Sequence, residues 1–347
     1  MNNEFEPIIL NAPQKIENKI FPYLSFPLTK FCQFKCLYCG VGGETTASYE
    51  SITTASFVIQ RAEIGYAHGV RKFRLTGGEP LSHPEFEKIV DSLSRLENSS
   101  LLINTNGDLL SKKSSWLNTV SSNVRFAVSL DSLEPSKFDW ITGSKGHFDR
   151  VIAGIRLLAS KKLLTRLNLV VTKHNVDEVF SVIDFCKELG CNLKLLEVCS
   201  VPIPYSNWED FHVKLDDIER QLVEKSKSVA PHEYSKSFGI PMPVYNVDGV
   251  NVTVKSSLYG SRYDAEGICK GCNYFPCHEG LYDMYLLPDD RLCGCRWSDT
   301  SVAQNQDFRE TLDFMVNVFQ RAEWQKIEKI QPMKPLPSFV CHNLKKD

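Results

Sequence analysis

The chain has 347 residues, of which 42% are apolar, and its 40 Lys and Arg against 42 Asp and Glu leave a formal charge of −2. That balance excludes a global basic field aimed at nucleic acid or an anionic membrane, and no apolar run reaches membrane-spanning length. The N-terminus lacks a basic n-region, and Ile8-Ile9-Leu10 is too short for a signal core. A cytoplasmic location is therefore expected, where twelve cysteines stay reduced and point to metal sites rather than disulfides.

Residues 1–22 read as an N-terminal extension. Tyr23 to Leu28 is expected to form a first strand, feeding the stretch Phe31-Cys32-Gln33-Phe34-Lys35-Cys36-Leu37-Tyr38-Cys39-Gly40. Thr53 or Thr54 can cap a helix running to about His68. Val70 to Leu75 is the next strand and ends in Thr76-Gly77-Gly78-Glu79-Pro80. A helix over 84–96 carries Phe86, Ile89, Val90, Leu93 and Leu96 at helical spacing. A strand at 101–103, a turn at 104–107 and a helix over 109–120 follow. Further strands are predicted at 124–130, 166–171 and 193–198, with helices at 148–160 and 176–189.

Six β-then-α units imply a parallel sheet with right-handed crossovers. Six are too few for an eight-fold barrel, so the predicted fold is α/β, a partial (β/α)6 barrel over 23–200. Ligands of such sheets sit at the C-terminal strand ends, which is where Cys32, Gly77, Thr105, Ser129 and Cys199 fall. Over 201–267 the rhythm is lost, apart from a helix at 215–227; this is read as a connecting, substrate-covering region. From 268 to 347 comes a small C-terminal subdomain with Cys269, Cys272, Cys277, Cys293 and Cys295, a hairpin turning at Pro288-Asp289-Asp290, a helix over 308–327, and Cys341 in the tail.

Cys32, Cys36 and Cys39 are spaced C-x3-C-x2-C. Thiolates are soft ligands that suit iron–sulfur clusters and zinc. A cubane wants four protein ligands and this loop offers three, which leaves one iron open. A zinc knuckle needs a fourth Cys or His, and none lies between Cys39 and His68. Cys269-x2-Cys272 is also a metal spacing. An auxiliary cluster on Cys269, Cys272 and Cys295, with Cys277, Cys293 and Cys341 as further possible ligands, stands beside a zinc site as the alternative. Cys186 and Cys191 flank a helix end and read as buried apolar thiols. Gly77 and Gly78 let the backbone approach a ligand, since glycine has no Cβ to clash; as a plain turn they would need no ligand.

On these residues the chain resembles the radical SAM superfamily. The resemblance implies a 4Fe-4S cluster on Cys32, Cys36 and Cys39 whose open iron is chelated by S-adenosylmethionine (SAM), and a 5′-deoxyadenosyl radical that abstracts a substrate hydrogen. It implies SAM contacts from Tyr38, Gly77, Gly78, Glu79, Thr105 and Ser129, each of which can otherwise be an ordinary packed or strand-end residue. An electron donor such as flavodoxin or ferredoxin would serve the cluster.

The order of motifs also resembles the GTP 3′,8-cyclases of molybdenum-cofactor synthesis. The matching segments are the cysteine loop, 74–81, Thr105-Asn106-Gly107, Val128 to Leu133, Phe148-Asp149-Arg150-Val151 and the C-terminal cysteines. By that analogy Cys199 falls where the family has a Met beside SAM, and it is the one catalytic candidate. Lys72, Arg74, Arg166 and Lys194 keep charges that would hold an anionic substrate, or are solvated strand-end charges. The family's strand-one Arg is Ser25 here, and its Asn-Arg-Leu-Arg run is Tyr282-Asp283-Met284-Tyr285. Each lost charged hydrogen bond costs about 1.5–3 kcal/mol, so three such losses argue against GTP as substrate.

The reading is therefore an enzyme that kept the radical machinery and changed substrate, acting on a small metabolite or a peptide with a second, auxiliary 4Fe-4S cluster assisting oxidation, cyclisation or epimerisation. The 31 residues before Cys32 are too few for a fused leader-binding domain of roughly 80 residues. The alternatives are the GTP 3′,8-cyclase itself and a zinc-binding interaction protein with no catalysis. Neither nucleic acid nor membrane is expected as a partner.

Overall fold

The computed structural model describes residues 14–16, 19–39, 52–198, 208–231, 242–272, 275–277, 280–295, 302–303 and 307–325. Cys199 and Cys341 lie outside them. Elements are numbered in chain order. A hairpin, β1 (Gln14–Ile16) and β2 (Lys19–Phe21), precedes β3 (Leu24–Pro27); then come α1 (Ala55–Ala67), β4 (Lys72–Thr76), α2 (Phe86–Leu93), β5 (Ser100–Thr105), β6 (Val124–Ser129), α3 (Pro135–Thr142), α4 (Phe148–Ser160), β7 (Leu164–Val171), α5 (Val179–Leu189) and β8 (Asn192–Glu197). The second half adds α6 (Trp208–Phe211), α7 (Asp216–Lys225), β9 (Ser228–Pro231), β10 (Pro243–Val247), β11 (Val250–Lys255), β12 (Ser261–Tyr263), β13 (Met284–Leu286), β14 (Leu292–Cys293), β15 (Val302–Ala303), α8 (Phe308–Arg321) and β16 (Glu323–Gln325).

The six expected strands lie side by side in chain order, β3 to β8, and every pair is parallel. Strands from the second half extend the sheet at both edges. β11 adds in parallel to β8, and β13 in parallel to β3. Eight consecutive parallel strands are then flanked by antiparallel β10–β9 on one side and β14–β15 on the other. The result is a mixed, mostly parallel sheet of twelve strands that forms a partial barrel. The segments read as a connecting region and a C-terminal subdomain thus donate strands to the barrel itself. Nothing in their sequence announced this, because a short strand pairing with a distant edge leaves no local period.

Alternation along the strands separates packing from chemistry, since successive side chains point to opposite faces. On β7, Leu167, Leu169 and Val171 are fully buried and join the core shared with the helices, while Arg166, Asn168 and Val170 line cavities. A parallel strand buried on both faces normally reads as a continuous apolar run; here the inner face is polar because it builds a site. Tyr23, Leu102 and Ala127 form a separate small cluster on that inner side.

Three element expectations fail. The helix expected over 109–120 is two single 3-10 turns, Leu110–Lys113 and Trp116–Asn118; Ser111, Ser114 and Ser115 compete for backbone hydrogen bonds and make poor helix interior. Helix α3 was not expected. Its apolar side is short, but Pro135 in its first turn and left-handed Gly143 at its end are the usual start and stop. The last helix stops at Arg321, and residues 323–325 pair with β12 instead.

Candidate active site

The cysteine loop leaves β3 and is pinned along its length. Lys35 N and Leu37 N donate to the Thr142 and Ile141 carbonyls at 2.8 and 3.0 Å, and Cys39 N donates to the Cys36 carbonyl at 2.9 Å. Tyr38 Oη donates to Asp131 Oδ2 at 2.6 Å, and Asp131 Oδ1 accepts from Val170 N at 3.2 Å. Asn106 Nδ2 reaches the Cys32 sulfur at 3.6 Å, while its Oδ1 accepts from Gln33 Nε2 at 3.1 Å. Asp108, next to it, accepts from His147 and Arg150.

Cys32, Cys36 and Cys39 line one cavity of ≈240 Å³ together with Tyr38, Gly77, Gly78, Thr105, Ser129 and Asn168. Burial pushes the Cys32 thiol up to about 12, and the Cys36 thiol well above its ordinary value, so metal binding there has to displace protons. Among the described residues no three thiol, imidazole or carboxylate side chains are gathered closely enough for a single metal ion. A four-iron cluster takes its thiolates from further apart than one tetrahedral zinc, whose sulfurs lie about 2.3 Å from a common centre. The soft donor set and the shared cavity fit such a cluster.

The Gly-Gly pair has a second reason, beside the ligand approach expected of it. A Cβ on Gly78 would lie 2.2 Å from the Phe31 carbonyl oxygen, and one on Gly77, at φ +137°, would lie 2.4 Å from that of Thr29. Gly78 N donates to the Thr29 carbonyl at 2.6 Å, and Glu79 N to the Phe31 carbonyl at 2.7 Å. The glycines admit the cysteine loop's own backbone as well as lining the cavity. Glu79 is not a cavity wall. It is fully buried, accepting from Thr105 Oγ1, Asn106 N and Leu81 N at 2.7, 2.8 and 3.0 Å. Burial outweighs these bonds and raises its carboxyl to about 7. Its side chain clamps β4 to β5 from behind the site, and any contact with SAM would fall to its backbone.

A second cavity, of ≈150 Å³, opens beside the first and shares Thr76, Asn104 and Asn168 with it. Arg74, Arg166, Lys194, Lys255, Tyr282 and Tyr285 complete most of its lining. Burial, then the Arg74 charge, brings Arg166 down to about 10. Burial, then Arg166, Lys255 and Arg74, pushes Lys194 well below the ordinary lysine value. Lys194 Nζ donates to Tyr282 Oη at 2.8 Å, and Lys255 Nζ stands 5.0 Å from the centre of that ring. Lys72 is not a wall of this cavity; it lies 6.0 Å from the Tyr23 ring, and burial lowers it to about 8. Lys255, Asn104, Asn168 and Asp131 were missed from sequence. Lys255 was findable as the last inward position of an alternating strand, Val250–Lys255, had that strand's parallel partner been known. Asn104 Oδ1 is buried and has no hydrogen-bond partner among the described residues.

Of the C-terminal cysteines, Cys269, Cys272, Cys277 and Cys295 line one further small cavity with Tyr263, Ile268, Phe275, Gly280 and Leu281. Cys293 is a buried β14 residue and is not among those walls. Cys186 and Cys191 are buried in the core, as expected.

The sequence profile of the radical SAM superfamily matches residues 26–186. A protein of Methanocella arvoryzae named probable GTP 3′,8-cyclase is 30% identical over 252 residues, 72% of this chain and 76% of its own. A GTP 3′,8-cyclase of Listeria welshimeri is 27% identical over 270 residues, 74% of this chain and 80% of its own. Among solved structures, Streptococcus suis SuiB bound to S-adenosylmethionine superposes with a TM-score of 0.61 at 17% identity, covering 87% of this chain and 67% of SuiB. A second, anSMEcpe with bound SAM, gives 0.56 at 18% identity, covering 86% and 81%. At those identities the two share the fold.

Proposed function

The chain belongs to the radical SAM superfamily, among the relatives of the GTP 3′,8-cyclases, and from that premise we propose a hydrogen-abstracting enzyme for a small anionic substrate. One observation carries the reading: the cavity of the three loop cysteines shares the lining residues Thr76, Asn104 and Asn168 with the cavity of Arg74, Arg166, Lys194 and Lys255. When bound on Cys32, Cys36 and Cys39, a 4Fe-4S cluster supplies the electron that cleaves SAM to a 5′-deoxyadenosyl radical.

The chain's own residues do the rest. Tyr38, Gly77, Gly78, Thr105 and Ser129 wall the space that SAM would take. The Asn104 acceptor at the shared wall suits a donor on SAM or substrate, because an unpaired buried oxygen otherwise costs about 1–3 kcal/mol. Arg166, Lys194 and Lys255 neutralise the substrate's negative charge, and Tyr282 offers a ring face and a hydroxyl between them. Cys269, Cys272 and Cys295 would hold the auxiliary cluster. Reduction by a flavodoxin- or ferredoxin-type donor in the cytoplasm fits this reading; no described helix is long and apolar enough to cross a membrane.

The second reading, GTP 3′,8-cyclase activity, is favoured by the named relatives and by the cations Arg166, Lys194 and Lys255 lining the second cavity. Anaerobic reduction with SAM, with GTP and other phosphate-bearing metabolites deuterated at candidate positions, separates the two. Deuterium in 5′-deoxyadenosine from a substrate other than GTP supports the first reading, and from GTP the second. No 5′-deoxyadenosine under any condition refutes both.

A further inference from the structure

The family resemblance assigns three auxiliary ligands, Cys269, Cys272 and Cys295. The structure adds a fourth thiol to their cavity, Cys277. Its surroundings hold it there. Ile268 N donates to the Asp264 carboxylate at 3.2 Å, and Cys269 N donates to the Asp264 carbonyl at 3.0 Å. Cys272 N donates back to the Cys269 carbonyl at 3.2 Å, so the first two thiols come off one tight turn. The Tyr263 hydroxyl donates to the Cys277 carbonyl, and Gly280 N donates to the Cys277 sulfur at 3.4 Å. Backbone N–H bonds to sulfur are a common second layer around iron–sulfur ligands. Cys293, whose backbone pairs with Tyr285 and Val302, is not among the walls of that cavity.

We propose that the auxiliary centre is held by four thiolates, Cys269, Cys272, Cys277 and Cys295, and therefore has no iron corner free for substrate. This rests on the reading of the C-terminal cysteines as a 4Fe-4S site. The wall between the two cavities agrees with it. Gly280 and Leu281 face the thiols, while the next residue, Tyr282, lines the cationic cavity. Substrate is then gripped by side chains on one side of that segment, and the auxiliary centre stays saturated on the other.

The test uses the full-length chain with Cys32, Cys36 and Cys39 all changed to Ala, so that only the C-terminal centre remains. After anaerobic reconstitution it is expected to hold about four irons, as a four-cysteine cluster does, and its reduced electron paramagnetic resonance spectrum should not respond to added imidazole. Cys277→Ala on that background opens a corner, and imidazole then shifts the spectrum. Cys277→Ser keeps the iron with an altered spectrum, and Cys293→Ala changes neither iron content nor spectrum. If Cys277→Ala loses its iron while keeping a native circular dichroism spectrum, and Cys293→Ala retains it, the proposal also stands. A centre that binds imidazole with all its C-terminal cysteines present overturns it, as does a Cys277→Ala spectrum identical to its parent or loss of iron from Cys293→Ala. A background protein with no iron at all sinks the auxiliary-cluster reading first, and this inference with it.

Discussion

Arg74 and Asp283, 209 positions apart in sequence, form a buried ion pair inside the barrel. Ser25 Oγ donates to the same carboxylate oxygen at 3.1 Å, and the Arg74 guanidinium lies 4.3 Å from the centre of the Tyr23 ring. Burial works against the Arg74 charge, but Asp283 and the surrounding phenols outweigh it and hold its pKa above the ordinary value. Asp283 thus takes Arg74 out of the field offered to substrate, leaving Arg166, Lys194 and Lys255. Removing one partner of a buried pair strands a charge at a cost of about 3–5 kcal/mol. Asp283→Leu alone should therefore destabilise strongly in urea, while Arg74→Met with Asp283→Leu should lose less than the two single changes together. Additive losses would refute the pairing.

Anion binding gives the second prediction. Lys194→Met or Lys255→Met should each weaken pyrophosphate binding by about 10- to 150-fold, the equivalent of one charged hydrogen bond of about 1.5–3 kcal/mol. Lys72→Met should leave it within about two-fold, since Lys72 is no wall of the cavity. The depressed Lys194 pKa makes affinity fall as pH rises through it, because only the ammonium form attracts the anion. Calorimetric titration checks both points; equal losses for Lys72 and Lys194 would contradict the site.

Gly78→Ala tests the loop packing. Its Cβ would meet carbonyl backbone at 2.2 Å, which no rotamer can relieve, so the cysteine loop must shift. Iron bound at the N-terminal site should drop by more than half, in a protein that still shows native circular dichroism. An unchanged iron content would mean that the loop accommodates the methyl group.

Glu79 sets a pH dependence. Its folded pKa of about 7 lies above the ordinary 4.5, so the folded state binds its proton more tightly. Stability from this group is full below pH 4.5 and falls as pH rises towards 7, by about 3 kcal/mol at 1.36 kcal/mol per unit. Glu79→Gln removes the titration. The stability difference between the two proteins should change across that window and be flat above it. A difference independent of pH would disprove the assignment of the shift to Glu79.

How much was legible follows from where each signal lies. Strands β3 to β8 and helices α1, α2, α4 and α5 were readable because apolar runs and turn signals bound them, and Cys32, Cys36 and Cys39 stood out because candidate metal ligands cluster in sequence. Gly77 and Gly78 were readable as special but not as partners of Thr29 and Phe31, since that contact crosses two strands. Lys255, Tyr282 and Asp283 enter the site only because β11 and β13 dock on opposite edges of the sheet. Cys277 could not be separated from Cys293 on spacing alone; the fold brings only Cys277 into the cavity of the other three.

The central claim is that the cavity of Cys32, Cys36 and Cys39 generates the radical. Anaerobic protein, reduced in the presence of SAM, should release 5′-deoxyadenosine, and a Cys36→Ala protein with its C-terminal iron intact should release none. Equal release from both proteins would contradict the account.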